Sequence, residues 1–220
     1  MYSITEENYI KCIFSLSGQE AKKVSTNAIA KRLGTSAASV TDMIQRLSAK
    51  SIVNYQKYYG VSLTTEGNQL ALQLIRRHRL WETFLVDKLG FQWDEVHDMA
   101  EELEHVASEE LVKRLDDFLG NPRFDPHGDP IPDQKGNIAF HKDVRLGEME
   151  AGETGIVVGV IDHTPAFLQY LEKTGLVIQS KIAIIHLESY DNSTVLSVNN
   201  GKNIIISEKV AANLLVRKLG

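Results

Sequence analysis

Two short stretches, RRHRLWETFLVDKLG from Arg76 and VHDMAEELEH ending at His105, constrain this chain more than any other part of it. In the first, His78 and Glu82 stand four residues apart, so a helix would put them on one face. In the second, His97, Glu101, Glu104 and His105 sit at i, i+4, i+7 and i+8. At roughly 100° per residue they would fall within an arc of about 100° if that helix ran from Trp93 to Ala107. Val96, Leu103 and Ala107 lie on a neighbouring stripe and give the helix a core to lean on, while Asp98 and Glu102 supply a separate wet face. Imidazoles and carboxylates are gathered here without a thiolate. Such a donor set suits a hard or borderline divalent ion, Mn2+ or Fe2+ ahead of a structural zinc. A solvated charged face is the plain alternative, which six residues acting jointly make less economical.

Charge is divided along the chain. Residues 1–79 hold 11 Lys/Arg against 5 Asp/Glu, and residues 80–220 hold 13 against 24. A basic head on an acidic body suits a protein that binds DNA at one end and cations at the other. The chain has a single cysteine, Cys12, in the apolar run YIKCIFSL. That excludes an internal disulfide and a cysteine-rich zinc site. No apolar run reaches membrane-spanning length and the start carries no signal pattern, so a cytoplasmic protein with no membrane partner is expected.

The expected fold class is α+β in three parts: residues 1–74, 75–142 and 143–220. A first helix over Ser3–Ser17 would be capped by Thr5, with Glu6 and Glu7 in its first turn. VSTNAIAKRLGTSAASVTDMIQRLSAKSIV then reads as helix, glycine turn, helix: about Thr26–Leu33, a turn at Gly34-Thr35, and a second helix under a Ser36 cap to about Ala49. IVNYQKYYGVSLTTEG alternates around Tyr59-Gly60 and predicts a hairpin, which makes the head a winged helix-turn-helix. On the second helix Ser36, Ser39 and Thr41 can bond phosphates or base edges, and Ala38 permits close approach. Arg46 and the wing's Lys57 are candidate phosphate contacts. Asp42 either accepts from a cytosine amino group or faces away.

A long helix from Thr65 is expected to lead toward the ligand stretch, followed by a helix under a Ser108 cap. GNPRFDPHGDPIPDQKG is a loop that carries Asp125 and His127 between prolines. From residue 143, β-rich runs at TGIVVGVI, SKIAIIHLES, TVLSVN and NIIIS predict a small β-barrel, interrupted by a helix over about Ala166–Lys173. His186, within IAIIHLES, reads as a strand histidine.

With these segments assembled, the chain resembles the diphtheria-toxin-repressor family of metal-dependent transcription factors, and most of all its manganese-sensing branch. HRLWE with EVHDMAEELEH, the FDPHGDPIP loop and the winged helix carry the likeness. It implies a winged helix-turn-helix, a helical metal-binding and dimerisation domain, and a small C-terminal SH3-like β-barrel. It further implies a homodimeric repressor, activated by Mn2+ or alternatively by Fe2+, that binds double-stranded operator DNA and controls metal uptake. No organic cofactor and no enzymatic activity are expected. The rival reading is a metallohydrolase with an accessory winged helix, for which no HExxH or similar motif is present.

Two metal sites per subunit follow from the resemblance. One would use Asn8, His78, Glu101, Glu104 and His105. The other would use Glu82, Asp125, His127 and Asp162, with His97 matching a ligand of the iron-sensing branch. Glu101 stands where that branch has cysteine, which favours manganese. Two positions depart from the pattern: Asn8 replaces an aspartate, and Asp125 stands where relatives often have cysteine.

Overall fold

The computed structural model describes residues 2–18, 22–106, 108–138, 142–201 and 203–219. Their contacts fall into two compact units. The first is Met1–His78 with Glu104–Ala107 and Pro132–Asn137; the second is Arg79–Leu103, Ser108–Ile131 and Ile138–Gly220.

In the first unit, helix α1 spans Ile4–Ser17. Its N-cap is Ser3, not the expected Thr5. Ser3 Oγ accepts from the Glu6 amide while Glu6 Oε2 accepts from the Ser3 amide. This reciprocal box satisfies two otherwise orphaned donors, and Thr5 inside the first turn could not form it. Helix α2, Thr26–Leu33, ends on Gly34, whose left-handed φ of 61° few other residues adopt cheaply. Helix α3, Ala37–Ala49, starts under Ser36 as expected. Ile10, Ile13, Ile29, Val40, Ile44, Leu47 and Leu74 are fully buried together, one apolar stripe from each helix.

The wing is the antiparallel pair β1, Val53–Gln56, and β2, Gly60–Leu63. Gly60 is required there: a Cβ would lie 2.6 Å from the Val24 carbonyl oxygen, because Val24 bridges to Val61. Helix α4 then runs unbroken over Thr65–Asp87 and contributes residues to both units.

In the second unit, Leu80 of α4, Leu115 of helix α6 (Glu109–Phe118) and Ile131 form a small apolar cluster with Trp81 and Phe84. Ser108 caps α6 as expected. Helix α5 is shorter than its periodicity suggested, Val96–Leu103. Trp93 lies in the turn before it, and Ala107 lies outside the described residues. Glu104 and His105 therefore follow the helix in a turn, and only His97 and Glu101 share the predicted face. The backbone leaves the helical path where both side chains are taken up by partners on α1 and α4.

The C-terminal part contributes β3 (Val144–Arg145), β4 (Thr154–Val160), α7 (Pro165–Thr174), β5 (Lys181–Leu187), β6 (Thr194–Val198), β7 (Asn203–Ile206), α8 (Glu208–Ala212) and β8 (Leu214–Leu219). The strands make one antiparallel sheet in the order β3-β8-β4-β5-β6-β7. The expected closed barrel is not formed among the described residues. The sheet stays open because its outer strands, β3 and β7, do not pair, and β3 has only two residues to offer. His186 sits in β5 beside Glu188.

The loop carrying Asp125 and His127 is fastened to β4. The Val160 amide donates to the His127 carbonyl at 3.0 Å. Gly128, at φ +86°, lies so close that a Cβ would sit 2.0 Å from the Val158 carbonyl oxygen. Gly128→Ala should therefore lift the loop off the strand and lower the second unit's stability by about 1–3 kcal/mol from backbone strain alone. An unchanged thermal midpoint in that variant would show the loop is not held by this contact.

Candidate metal centre and DNA-binding face

Two clusters of titratable side chains are built on this frame, one in each unit.

In the second unit, Glu82 rises from α4 toward the proline-bounded loop. One ligand atom each from Glu82, Asp125 and His127 lies within 4.8 Å of the others, and all three residues are buried. The loop positions its own members: Asp125 Oδ1 accepts from the backbone amides of His127 (2.8 Å) and Asp129 (3.0 Å). Arg79, a turn before Glu82 on α4, holds the loop from outside through Asp129 and the Pro130 carbonyl.

His127 carries the clearest chemical statement. Its Nε2 hydrogen-bonds the Trp93 carbonyl at 2.8 Å, and a carbonyl can only accept, so Nε2 bears the proton of the neutral ring. Its ring stacks on Trp93 (6.0 Å between centroids) and on His163 (4.8 Å), which fixes its plane. Its Nδ1 is buried without a hydrogen-bond partner, 3.6 Å from Glu82 Oε2 and 4.0 Å from Asp125 Oδ1. An imidazole anchored through one nitrogen to a carbonyl, with the other open toward carboxylates, is the usual arrangement of a metal-ligating histidine.

The electrostatics agree. Burial first, then the charges of Asp129 and Glu82, push the Asp125 carboxyl up to about 7. Burial alone would lower His127, but the facing Glu82 carboxylate and the Asp125 charge overcome it and push it up to about 9. The cluster thus holds protons where a cation would otherwise balance it. Oxygen and imidazole donors with no sulfur fit a manganese- or iron-class divalent ion.

His97 stands beside this group, Nδ1 3.4 Å from Glu82 Oε1, and is half exposed. Its Nε2 lies 3.6 Å from Glu101, which is also exposed. Asp162 has a different task in the structure: its Oδ1 accepts from the Thr164 amide (2.9 Å) at the start of α7. The next residue, His163, is the one that reaches His127. Trp93, Arg79, Asp129 and His163 were not legible as site residues from spacing. Adjacency to Asp162 and the D-x-x-x-D spacing of Asp125 and Asp129 were the available hints.

In the first unit, Glu104 is 1 % exposed. His78 Nδ1 lies 2.7 Å from its Oε2, and Lys11 Nζ lies 2.7 and 2.8 Å from its two oxygens. Burial works against its ionisation, but the His78 hydrogen bond and the Lys11 charge hold its carboxyl below the usual range. His105 Nδ1 pairs with Glu7 Oε2 at 2.6 Å, and Arg77 lies 3.6 Å from Glu7 Oε1. The expected first-helix ligand, Asn8, is exposed, while its neighbour Glu7 is the buried one. Lys11, one turn after Glu7, also went unnoticed in the sequence. The donors here are of the right kind for a metal, but an ammonium is already seated on Glu104.

The DNA-binding candidates lie where expected on α3 and the wing. Ala38, Ser39, Asp42 and Arg46 are exposed along one helix. Ser36 caps it and shares a 2.8 Å hydrogen bond with Ser39. Thr41 donates to the Ala37 carbonyl at 2.9 Å, which leaves it only acceptor capacity outward. Lys57 is exposed at the wing tip with its ammonium over the ring of Tyr58, itself 91 % exposed.

The chain is similar to known proteins along nearly its whole length. Residues 1–61 match the N-terminal DNA-binding domain of iron-dependent repressors. Residues 64–133 match their metal-binding and dimerisation domain, and 144–218 match the FeoA domain. The iron-dependent repressor of Mycobacterium leprae is 29 % identical over 227 residues, covering 98 % of this chain and 97 % of the relative. Among solved structures, a manganese-dependent transcriptional repressor in complex with manganese superimposes with a TM-score of 0.86 at 35 % identity, covering 97 % of this chain and all of that one. The manganese regulator SloR follows at 0.74 and 31 %, covering 97 % and 98 %. With its DNA-binding, metal-binding and FeoA segments matched in order along nearly its whole length, the chain belongs to the diphtheria-toxin-repressor family of metal-dependent transcriptional repressors.

Proposed function

We propose that this chain is an Mn2+-responsive repressor that binds operator DNA as a homodimer and lowers expression of metal uptake. Fe2+ is the alternative ion. The reading divides the chain by task into a winged helix over 1–74, a metal-binding and dimerisation part over 75–142, and an SH3-like part over 143–220. The observation that carries it is the Glu82–Asp125–His127 group, buried, sulfur-free and oriented with His127 Nδ1 open. A bound divalent ion would neutralise two carboxylates that are costly to bury side by side. Glu82, Asp125 and His127 would hold it; His97 stands close enough to Glu82 to join them. Asp162 is kept as a ligand through its Oδ2, since the Thr164 amide engages only Oδ1. No helix among the described residues is long and apolar enough to cross a membrane.

The support for manganese is the donor chemistry, together with the likeness to a manganese-dependent repressor in complex with manganese and to the manganese regulator SloR. Helix α4 carries both Leu74, in the core behind the DNA-binding helices, and Glu82, so ion binding and operator binding are proposed to be linked, each favouring the other. The test is a gel shift on the protein's own upstream DNA with Mn2+, Fe2+, Zn2+ and chelator. Retardation that is the same in chelator and in every metal would end the proposal.

The DNA contacts are separable. Arg46→Ala or Lys57→Ala should weaken binding to every duplex and reduce its salt slope by about one unit, as loss of one phosphate contact does. Ser39→Ala should instead shift preference among sequences, because its hydroxyl is exposed on the helix proposed to enter the groove. Competition binding against variant operators at several salt concentrations distinguishes the two. An equal loss on all duplexes for Ser39→Ala would remove it from base readout.

A further inference from the structure

The first-unit cluster differs from the second in one respect that decides what it can hold. Lys11 Nζ sits 2.7 and 2.8 Å from the two Glu104 oxygens, the place a cation shared by both oxygens of one carboxylate would take. Glu104 is almost fully buried and Lys11 is itself mostly covered. The other groups are paired off as well: His78 with Glu104, and Glu7 with both His105 and Arg77. Two carboxylates here face two permanent cations, Lys11 and Arg77. In the second unit three carboxylates, Glu82, Asp125 and Asp129, face one permanent cation, Arg79. The remaining partners are the imidazoles of His97, His127 and His163, which can yield to a metal, and His127 Nδ1 has no hydrogen-bond partner. A divalent ion would relieve the second arrangement and overcharge the first.

We propose that Lys11 is a tethered cation that replaces the divalent ion in the Glu7–His78–Glu104–His105 cluster, so that this chain takes up one metal ion per subunit, at Glu82, Asp125 and His127. The ammonium is carried on α1 itself, so its effective concentration at Glu104 is set by the fold and not by the cell. It joins α1 to the segment after α5 whatever the metal supply. Metal response is then left to the second cluster alone. That last point rests on the metal-responsive reading above; the replacement of a metal by Lys11 does not.

The test is Mn2+ stoichiometry by equilibrium dialysis on the full chain, with thermal midpoints in Mn2+ and in chelator. Wild type should bind one Mn2+, Asp125→Ala none, and Lys11→Arg one. Lys11→Met keeps an unbranched side chain, one atom shorter, and removes its charge. It should bind two Mn2+, and its midpoint in chelator should fall several degrees and recover in Mn2+. Two ions on wild type, one of them retained by Asp125→Ala, would overturn the proposal. That comparison decides the matter even if Lys11→Met fails to fold. No ion on wild type with one gained by Lys11→Met would uphold the tethered cation while refuting metal response through the second cluster.

Discussion

His127→Ala is expected to lower Mn2+ affinity by more than about 100-fold, since it removes a ligand where loss of a mere supporting contact already costs 10- to 100-fold. Metal-dependent operator binding should disappear with it. The expectation rests on three features of one ring: its anchor to the Trp93 carbonyl, its stacking on Trp93 and His163, and its open Nδ1. The metal-free protein should suffer too. Glu82 and Asp125 would remain buried without the imidazolium between them, a situation that costs about 3–5 kcal/mol when one partner of a buried pair is removed. His163→Ala is the control. It removes a stacking partner but no open donor, so its affinity should fall by about 10- to 100-fold, less than for His127→Ala. Calorimetric Mn2+ titration of both variants checks the ranking; equal losses would mean that His127 acts only as packing.

Mn2+ affinity should depend steeply on pH, in a direction set by the same group. Metal binding needs the His127 Nδ1 lone pair and ionised carboxylates. Without metal, His127 is held protonated up to about 9 and Asp125 up to about 7. Both pKa values are raised, so below them the metal must displace protons, and affinity falls as pH falls. Between pH 7 and 9 one proton is released, which amounts to roughly tenfold in affinity per pH unit; below pH 7 a second joins it and the slope approaches two. Above about pH 9 the dependence on these groups should vanish. Proton release on adding Mn2+ to a weakly buffered sample would report the count directly. A flat affinity between pH 6 and 8.5 would place the ion elsewhere.

Helix-scale features were determined by the sequence itself, because their causes are local. The Ser36 and Ser108 caps, the Gly34 turn and the apolar spacing of Val40, Ile44 and Leu47 act within a few residues of one another. The joint placement of Glu82, Asp125 and His127 was reachable only through the family likeness, since no periodicity links residue 82 of a helix to residue 127 of a loop. The rest depended on where the chain turns in space. Whether Glu104 and His105 continue a helix or leave it was settled by buried partners on α1 and α4, which helical periodicity cannot register. The same holds for Glu7 taking the inward position beside exposed Asn8, and for His163 meeting His127 while Asp162 turns to the Thr164 amide. Closure of the barrel likewise turned on the length and partners of β3 and β7, which alternation does not encode. Lys11 is the sharpest case. In sequence it is one more lysine on an amphipathic helix; only tertiary packing brings its ammonium to a carboxylate 93 positions away and makes it a cation in a metal's place.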